Sequence, residues 1–460
     1  MTDAEGLMWR MEKDPYLSSN IVSVSILDRA PDFDLLRQRL ERAVITIPRL
    51  RQVVRSAPGN VSPPSWVGDS EFSLDRHLRR LALPKGSTDR DLYDLATLIA
   101  SEPFDRTRPL WLFTVVEGLK GHRAALIQKM HHTIADGESG VALSLQYLDF
   151  ERDAVPPPAP TPDEIDAAQE HSDQDTAADH DAAQAMRDLI ASGLRIPLGI
   201  ARQVKDLLAD PTRIPAATEA ATETFRGIVN QLGDTDSARS PLWTKRSTCR
   251  QFETASAPFA ETKSAAKHLG GTLNHAFLTI ASEAASRYHL EFGAPVEMLR
   301  ASMAISTRTE ESGANAFSLV RMLVPTGEMP IDERFRAIQE ATESAVEASR
   351  SASLDQVAAI ASTMPTSVVC RLARQQSQTV DFATSNVRGA PVELYLAGAQ
   401  LLANYPVGPL SGVAFNLTLL SYLGRLDLGL NTDAAAIEQP GALARLISES
   451  VNDFVAVAPD

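Results

Sequence analysis

The spacing of hydrophobic residues along the first 150 positions switches repeatedly between that of a strand and that of a helix. Val22, Val24 and Ile26 alternate with serines, as in a strand with one buried face. Apolar residues three and four apart follow between Asp32, which can cap a helix, and Pro48, which ends it. The same criteria predict helices over residues 92–99 and 141–148 and strands over residues 110–116 and 123–130. Helices that separate pairs of strands predict an α/β sandwich.

This regular pattern is lost between residues 151 and 245. A proline run at Val155–Pro160 is followed by acidic residues as far as Asp181, and such a stretch cannot bury enough apolar surface to fold alone. An apolar stripe with interleaved basic residues comes next: Leu194, Ile200, Val204 and Leu207 with Arg195, Arg202 and Lys205. We therefore predict a Pro-rich acidic linker with crossover helices over residues 151–245. The basic stripe either binds peripherally to anionic membranes or lipid droplets, or packs against the flanking domains.

Regular patterning returns from residue 246 to the end of the chain. Thr272 can cap a helix. The other predicted elements are strands over residues 296–305, 317–324, 414–421 and 425–431 and a closing helix over residues 443–454. The chain has 460 residues, more than one hydrophobic core usually organises. We therefore expect two domains, 1–150 and 246–460, joined by the linker.

Composition and charge narrow the possible locations and partners. The formal charge of −15 argues against nucleic-acid binding, which requires a basic face. The amino terminus lacks the basic and apolar regions of a signal peptide, and no apolar run has membrane-spanning length, so we expect a cytoplasmic protein. Cys249 and Cys370 form no paired motif, and we expect both to be buried as small hydrophobic side chains.

The strand predicted over residues 123–130 ends at two adjacent histidines. His131 and His132 are followed by Asp136 and Gly137. An imidazole exchanges a proton near neutral pH, which suits it to general-base catalysis. We assign that role to His132 and expect Asp136 to orient the loop or the ring, with Gly137 permitting the turn. A polar loop without chemistry is one alternative; a metal site is another, although no further ligand stands at a known metal-binding spacing.

Several segments of the chain, taken in order, resemble one protein family. They are the His-His-x-x-x-Asp-Gly motif at 131–137, Pro109-Leu110-Trp111 before it, Ser385-Asn386-Val387-Arg388-Gly389 after it, and Tyr405-Pro406-Val407-Gly408-Pro409 further on. Together they resemble the bacterial wax ester synthase/diacylglycerol acyltransferase family. The resemblance implies an α/β fold with two similar halves of the CoA-dependent acyltransferase (chloramphenicol acetyltransferase-like) type, and an active-site tunnel between these domains.

The resemblance also implies a reaction and a set of site residues. An acyl group moves from acyl-CoA, which is a substrate rather than a cofactor, to the hydroxyl of diacylglycerol or a fatty alcohol. His132 removes the hydroxyl proton, and His131 shapes the site. Asn274 and Ser385 are expected to stabilise the oxyanion, and Asp136 to pair with an arginine such as Arg308. The residues expected at the substrate are Pro109, Leu110, Trp111, Asn274, Arg308, Ser385 and Asn386.

Departures from the family pattern fall in the second half and leave other functions open. His275 follows Asn274 where the family usually has aspartate, while Ala304 and Arg388 each replace a proline. One other function is a condensation-type enzyme that uses carrier-bound acyl groups, and the second is a non-catalytic lipid-binding relative. A serine hydrolase is disfavoured because the sequence has no Gly-x-Ser-x-Gly elbow. Core packing is the alternative role for Trp111, and a tight turn is the alternative for Asn386.

Overall fold

The computed structural model describes residues 1–56, 64–135, 137–155, 158–161, 163–165, 240–306, 317–349 and 366–458. The basic stripe, most of the acidic linker, Asp136 and Arg308 lie outside these residues. The strands within these ranges form two six-stranded sheets and one two-stranded sheet. None of the helices within them has both the length and the hydropathy needed to cross a bilayer.

Residues 1–144 supply the elements of the first half. They are α1 (Asp3–Met11), β1 (Asn20–Leu27), α2 (Phe33–Thr46), β2 (Gln52–Arg55), β3 (Ser65–Gly68), β4 (Leu78–Ser87), α3 (Asp89–Ser101), β5 (Trp111–Leu119), β6 (Ala124–His131) and α4 (Gly137–Ser144). β1 and α2 confirm the predicted strand and helix, but the expectation of one buried face for β1 was wrong, because Val24–Leu27 is buried on both faces. Asp32 caps α2 by accepting hydrogen bonds at 3.0 Å from the N–H groups of Asp34 and Leu35, and the helix ends before Pro48.

The second half contains elements that the hydrophobic pattern predicted and others that it did not. They are β7 (Arg250–Pro258), α5 (Phe259–His268), α6 (Leu273–Glu291), β8 (Met298–Ser306), β9 (Phe317–Pro325), α7 (Ile331–Ser349), α8 (Thr366–Ser377), β10 (Phe382–Arg388), β11 (Tyr395–Leu396), β12 (Ala399–Val407), β13 (Phe415–Tyr422), β14 (Arg425–Asp433) and α9 (Pro440–Val455). Thr272 caps α6 as predicted. Cys249 is exposed and Cys370 half-buried; the expectation that both are buried was wrong, since Cys249 precedes β7 in a surface loop.

The strands before and after the linker do not form one large sheet each. The first has the strand order β11-β12-β1-β6-β5-β4, and the second has the order β7-β14-β13-β10-β8-β9. β12 leaves the second half and pairs antiparallel with β1, with Val22 opposite Val407. Residues 395–407 therefore belong to the first sheet, which corrects the predicted domain of 246–460 at this point. The crossover gives β1 a second partner and covers an edge that would otherwise be unpaired.

β12 also joins the two halves by packing on β13 and β14 of the second sheet. The Asn404 N–H donates to Asp427 Oδ2 at 2.8 Å, and Asn431 Nδ2 donates to the carbonyl of Gly408 at 2.8 Å. The backbones approach so closely that a Cβ on Gly429 would lie 1.7 Å from the carbonyl oxygen of Pro406. Burial raises the pKa of Asp427, although the hydrogen bond from Asn404 and the charge of Arg425 oppose it.

The tryptophan of a second Pro-Leu-Trp, at residues 241–243, belongs to the hydrophobic core of the second half, whereas Pro241 is exposed. Trp243 is 2% exposed, and its ring centre lies 4.4 Å from that of His289. The hydroxyl of Ser240 lies 2.6 Å from His289 Nε2, and Asp381 Oδ1 accepts the Ser240 N–H at 2.8 Å. This tripeptide therefore anchors the chain where the second half begins.

Candidate active site

The histidine pair lies at the end of β6, between β1 and β5: His131 is the last residue of the strand and His132 follows it. The His131 N–H donates to the carbonyl of Leu110 at 2.9 Å, just before β5. The His132 N–H donates to the carbonyl of Ser19 at 3.0 Å, just before β1. The backbone of the pair is thus held from both sides.

The imidazole of His131 faces the protein interior. It is 1% exposed, and its Nδ1 accepts the Thr133 N–H at 3.2 Å and lies 2.7 Å from Thr133 Oγ1. An acceptor at Nδ1 places the ring proton on Nε2, which lies 3.3 Å from Glu12 Oε2. Both ring nitrogens are therefore engaged by protein groups, an arrangement suited to shaping the site.

His132 is the more accessible of the two histidines. It is half-buried and lies directly after β6, whereas His131 is fully buried. Gly137 begins α4, and Asp136 lies outside the described residues. The assignment of His132 as the general base stays a prediction, and the greater exposure of this residue favours it over His131.

Pro109, Leu110 and Trp111 are buried in the first half. Trp111 is 1% exposed, its Nε1 donates to the carbonyl of Leu50 at 2.7 Å, and its ring stacks on His77 at 4.6 Å. Burial lowers the pKa of His77, although the hydrogen bond with the Trp111 carbonyl opposes it. This geometry favours core packing for Trp111, while Leu110 supports the backbone of His131.

Ser385 and Asn386 lie within β10, so the alternative of a tight turn at Asn386 was wrong. β10 is parallel to β13 and to β8 and contacts both α4 and α6. Asn386 Nδ2 donates to Asn274 Oδ1 at 2.6 Å. Val387 shares an apolar cluster with Met130 and Ile134 from the histidine segment. β10 therefore brings Asn274, Ser385 and Asn386 to the part of the first half that carries the histidine pair.

The departure at His275 has a structural role in α6. The Thr272 N–H donates to His275 Nδ1 at 3.3 Å, and the His275 N–H donates to Thr272 Oγ1 at 3.4 Å. This is a capping box in which an imidazole replaces the usual carboxylate or amide. Burial lowers the pKa of His275, although the charge of Glu343 opposes it, and only the unprotonated Nδ1 can accept this bond.

Replacing His275 by aspartate should make the stability of α6 less dependent on pH. Because the folded-state pKa of His275 lies below its unfolded value of 6.5, the cap contributes fully above that value and is lost as pH falls through the folded-state pKa. Aspartate already closes a capping box with Thr88 in this chain. Urea unfolding at pH 7 and pH 5 should show His275→Asp gaining about 0.5–1 kcal/mol over the native chain at the lower pH. Parallel pH profiles for the two proteins would contradict this role.

Two charged residues near His131, Lys129 and Glu12, were not predicted as site residues from the sequence. Lys129 is 2% exposed, it donates to the carbonyl of Glu102, and burial lowers its pKa to about 8 despite the charges of Glu102 and Glu12. Glu12 ends α1, and no local pattern connects it with a histidine at position 131. In the described part of the chain, no three His, Cys, Asp or Glu side chains are grouped so as to hold a metal ion.

Comparisons with known proteins agree with this arrangement. A family model described as the wax ester synthase/diacylglycerol acyltransferase catalytic domain matches residues 1–277, and the model of the C-terminal domain of that family matches residues 313–454. A relative from Mycobacterium tuberculosis strain H37Rv is 30% identical over 467 residues, which cover 98% of this chain and 91% of the relative. Its name provisionally assigns it as a diacylglycerol O-acyltransferase.

Solved structures share the architecture across the whole chain. A wax ester synthase/diacylglycerol acyltransferase from Marinobacter aquaeolei VT8 has a TM-score of 0.64 and 20% identity, with 96% of this chain and 95% of that chain covered. The first condensation domain of the calcium-dependent antibiotic synthetase has a TM-score of 0.60 and 14% identity, covering 100% and 96%. These likenesses confirm the predicted α/β, two-domain acyltransferase fold. The family models and the mycobacterial relative together show that this chain belongs to the wax ester synthase/diacylglycerol acyltransferase family.

Proposed function

We propose that this protein transfers a fatty acyl group from acyl-CoA to the hydroxyl of diacylglycerol or a long-chain alcohol. The observation that carries the proposal is the half-buried His132 at the end of β6, beside a second half that presents Asn274, Ser385 and Asn386. His132 takes the hydroxyl proton as the oxygen attacks the thioester carbonyl. The tetrahedral intermediate then expels the CoA thiolate, which receives the proton from the imidazolium.

The amide pair suggests how the developing oxyanion is stabilised. Because Asn274 Oδ1 accepts from Asn386 Nδ2 at 2.6 Å, the orientation of the Asn274 carboxamide is fixed and its Nδ2 keeps hydrogens to donate. We assign that NH₂ group and the hydroxyl of Ser385 as donors to the oxyanion. A preorganised donor of this kind typically accounts for a factor of about 10² to 10³ in turnover.

A turnover assay separates this function from its two alternatives. Free thiol is measured with long-chain acyl-CoA, with and without diacylglycerol or fatty alcohol. Acceptor-dependent thiol release supports the proposal, and the preferred acceptor separates triacylglycerol from wax ester formation. Transfer only from a carrier-bound acyl group would identify a condensation-type enzyme. Lipid binding without any thiol release would identify a non-catalytic relative.

Peripheral binding to anionic membranes or lipid droplets is a separate proposal, based on the basic stripe between Leu194 and Leu207. Flotation with anionic vesicles should recover the protein at low salt and release it at high salt, because the Debye length falls from about 30 Å at 0.01 M to about 3 Å at 1 M. Neutral vesicles serve as the control. Failure to float at low salt would instead favour packing of the stripe against the protein.

A further inference from the structure

The carboxylate of Glu12 lies where it can control the geometry of both histidines. Its Oε2 accepts the Ser19 N–H at 2.7 Å and faces His131 Nε2 at 3.3 Å, while its Oε1 accepts from the Ser18 hydroxyl at 2.9 Å. The carbonyl of the same Ser19 accepts the His132 N–H at 3.0 Å. One carboxylate thus holds the ring of His131 directly and the backbone of His132 through one residue.

The surroundings of Glu12 favour a fixed and ionised carboxylate. Its side chain is only 15% exposed. Burial alone would raise its pKa, but the hydrogen bond and electrostatic attraction to the His131 ring, with the hydrogen bonds from Ser19 and Ser18, outweigh burial and lower the pKa below its usual value. An ionised carboxylate only accepts hydrogen bonds, so together with the Thr133 N–H that donates to Nδ1 it selects the tautomer of His131 that carries its proton on Nε2.

α1 is itself held rigidly against the histidine segment. The guanidinium of Arg106 lies 3.4 Å from the centre of the Trp9 ring and donates to the Trp9 carbonyl at 2.9 Å. The Trp9 ring meets the ring of His131 edge-on, with 6.5 Å between their centres. The carboxylate at the end of α1 is therefore positioned before any substrate arrives.

We propose that Glu12 is a positioning residue for the acyl transfer, acting as the acceptor that fixes the tautomer of His131 and, through Ser19, the position of His132. The inference rests on the proposed function of His132 as the base. The positioning role of Glu12 requires a hydrogen-bond acceptor at the place of Oε2. It does not require the negative charge of the carboxylate. A glutamine at position 12 can place its amide oxygen at that point and its NH₂ beside the Ser18 hydroxyl, which can accept a hydrogen bond.

The test compares Glu12→Ala with Glu12→Gln in the full chain. Glu12→Ala should lower kcat about 10- to 100-fold and leave KM for acyl-CoA within about twofold, because misplaced catalytic groups lose rate rather than binding. Glu12→Gln should keep kcat within about threefold of the native value. Thr2→Ala, which removes the cap at the other end of α1, should lower Tm and leave kcat unchanged.

The tautomer of His131 provides a second measurement that does not depend on turnover. In protein labelled with ¹⁵N-histidine, the His131 resonances, assigned by their loss in His131→Ala, should show the Nε2–H form in the native chain and in Glu12→Gln. In Glu12→Ala, where only the 3.2 Å bond from the Thr133 N–H still holds Nδ1 as an acceptor, part of the Nδ1–H tautomer should appear. An Nδ1–H form in the native chain would overturn the proposal even if Glu12→Ala fails to fold. A folded Glu12→Ala protein with unchanged kcat would also overturn the proposal, as would a Glu12→Gln protein as slow as Glu12→Ala. Absence of thiol release by the native chain would refute the proposed function, and the tautomer would still decide the contact with Glu12.

Discussion

Replacement of His132 by alanine should lower turnover by a factor of about 10² to 10⁴ while acyl-CoA binding survives. His132 is half-buried, whereas His131 is 1% exposed, so removal of the His132 ring should cost more in rate than in stability. Initial rates of thiol release give the loss of turnover, and equilibrium binding of a non-hydrolysable acyl-CoA analogue gives the affinity.

Two further histidine variants make this result specific. His268→Ala removes an exposed imidazole at the end of α5 and should leave rate and Tm unchanged. His131→Ala should lose less turnover than His132→Ala but lower Tm, because the ring is 1% exposed and its partners would be left unsatisfied. A folded His132→Ala protein with near-native turnover would refute the mechanism.

Replacement of Gly429 by alanine should destabilise the protein more than any of the histidine substitutions. The added Cβ would lie 1.7 Å from the carbonyl oxygen of Pro406, a backbone atom of the crossover strand β12. Because no side-chain rotation can relieve a clash with backbone, β12 and β14 must move apart. We expect a loss of about 3 kcal/mol or more in the free energy of unfolding, measured by urea denaturation.

Gly441→Ala is the matched control for this substitution. Gly441 lies in the first turn of α9, with no atom within 4 Å of the position of an added Cβ. Alanine there should leave stability unchanged or raise it by up to about 1 kcal/mol. Native-like stability of Gly429→Ala would mean that β12 and β14 do not pack closely enough for the two backbones to clash with a methyl group.

Elements whose hydrophobic residues follow one clear period could be predicted from the sequence. Elements whose place depends on partners distant in sequence could not. The apolar residues of β1 alternate in sequence and those of α2 lie on one face, so their spacing identifies both elements. β12 contains Pro406, which argues against a paired strand, and its place in the first sheet depends on β1, far away in sequence. β10 carries Ser385 and Asn386, whose residue types are typical of turns; here a strand supports them between β8 and β13.

The candidate site likewise contains features that the sequence could predict and features that it could not. The histidine motif was predictable because the chemistry is local, with strand, imidazoles and glycine in one short segment. Asn274 and Asn386 were nominated separately, but their mutual hydrogen bond depends on how α6 packs on β10. Glu12 was missed, because nothing near position 12 indicates which side chain will meet its carboxylate.

The crossover of β12 also determines when the first sheet can be completed during synthesis. β1 emerges from the ribosome early, but Val22 must wait for Val407, roughly 385 residues later. At about 5 to 20 residues per second, one edge of β1 stays without its partner for roughly 20 to 80 s. The newly made chain thus exposes an apolar strand edge throughout translation of the linker and most of the second half.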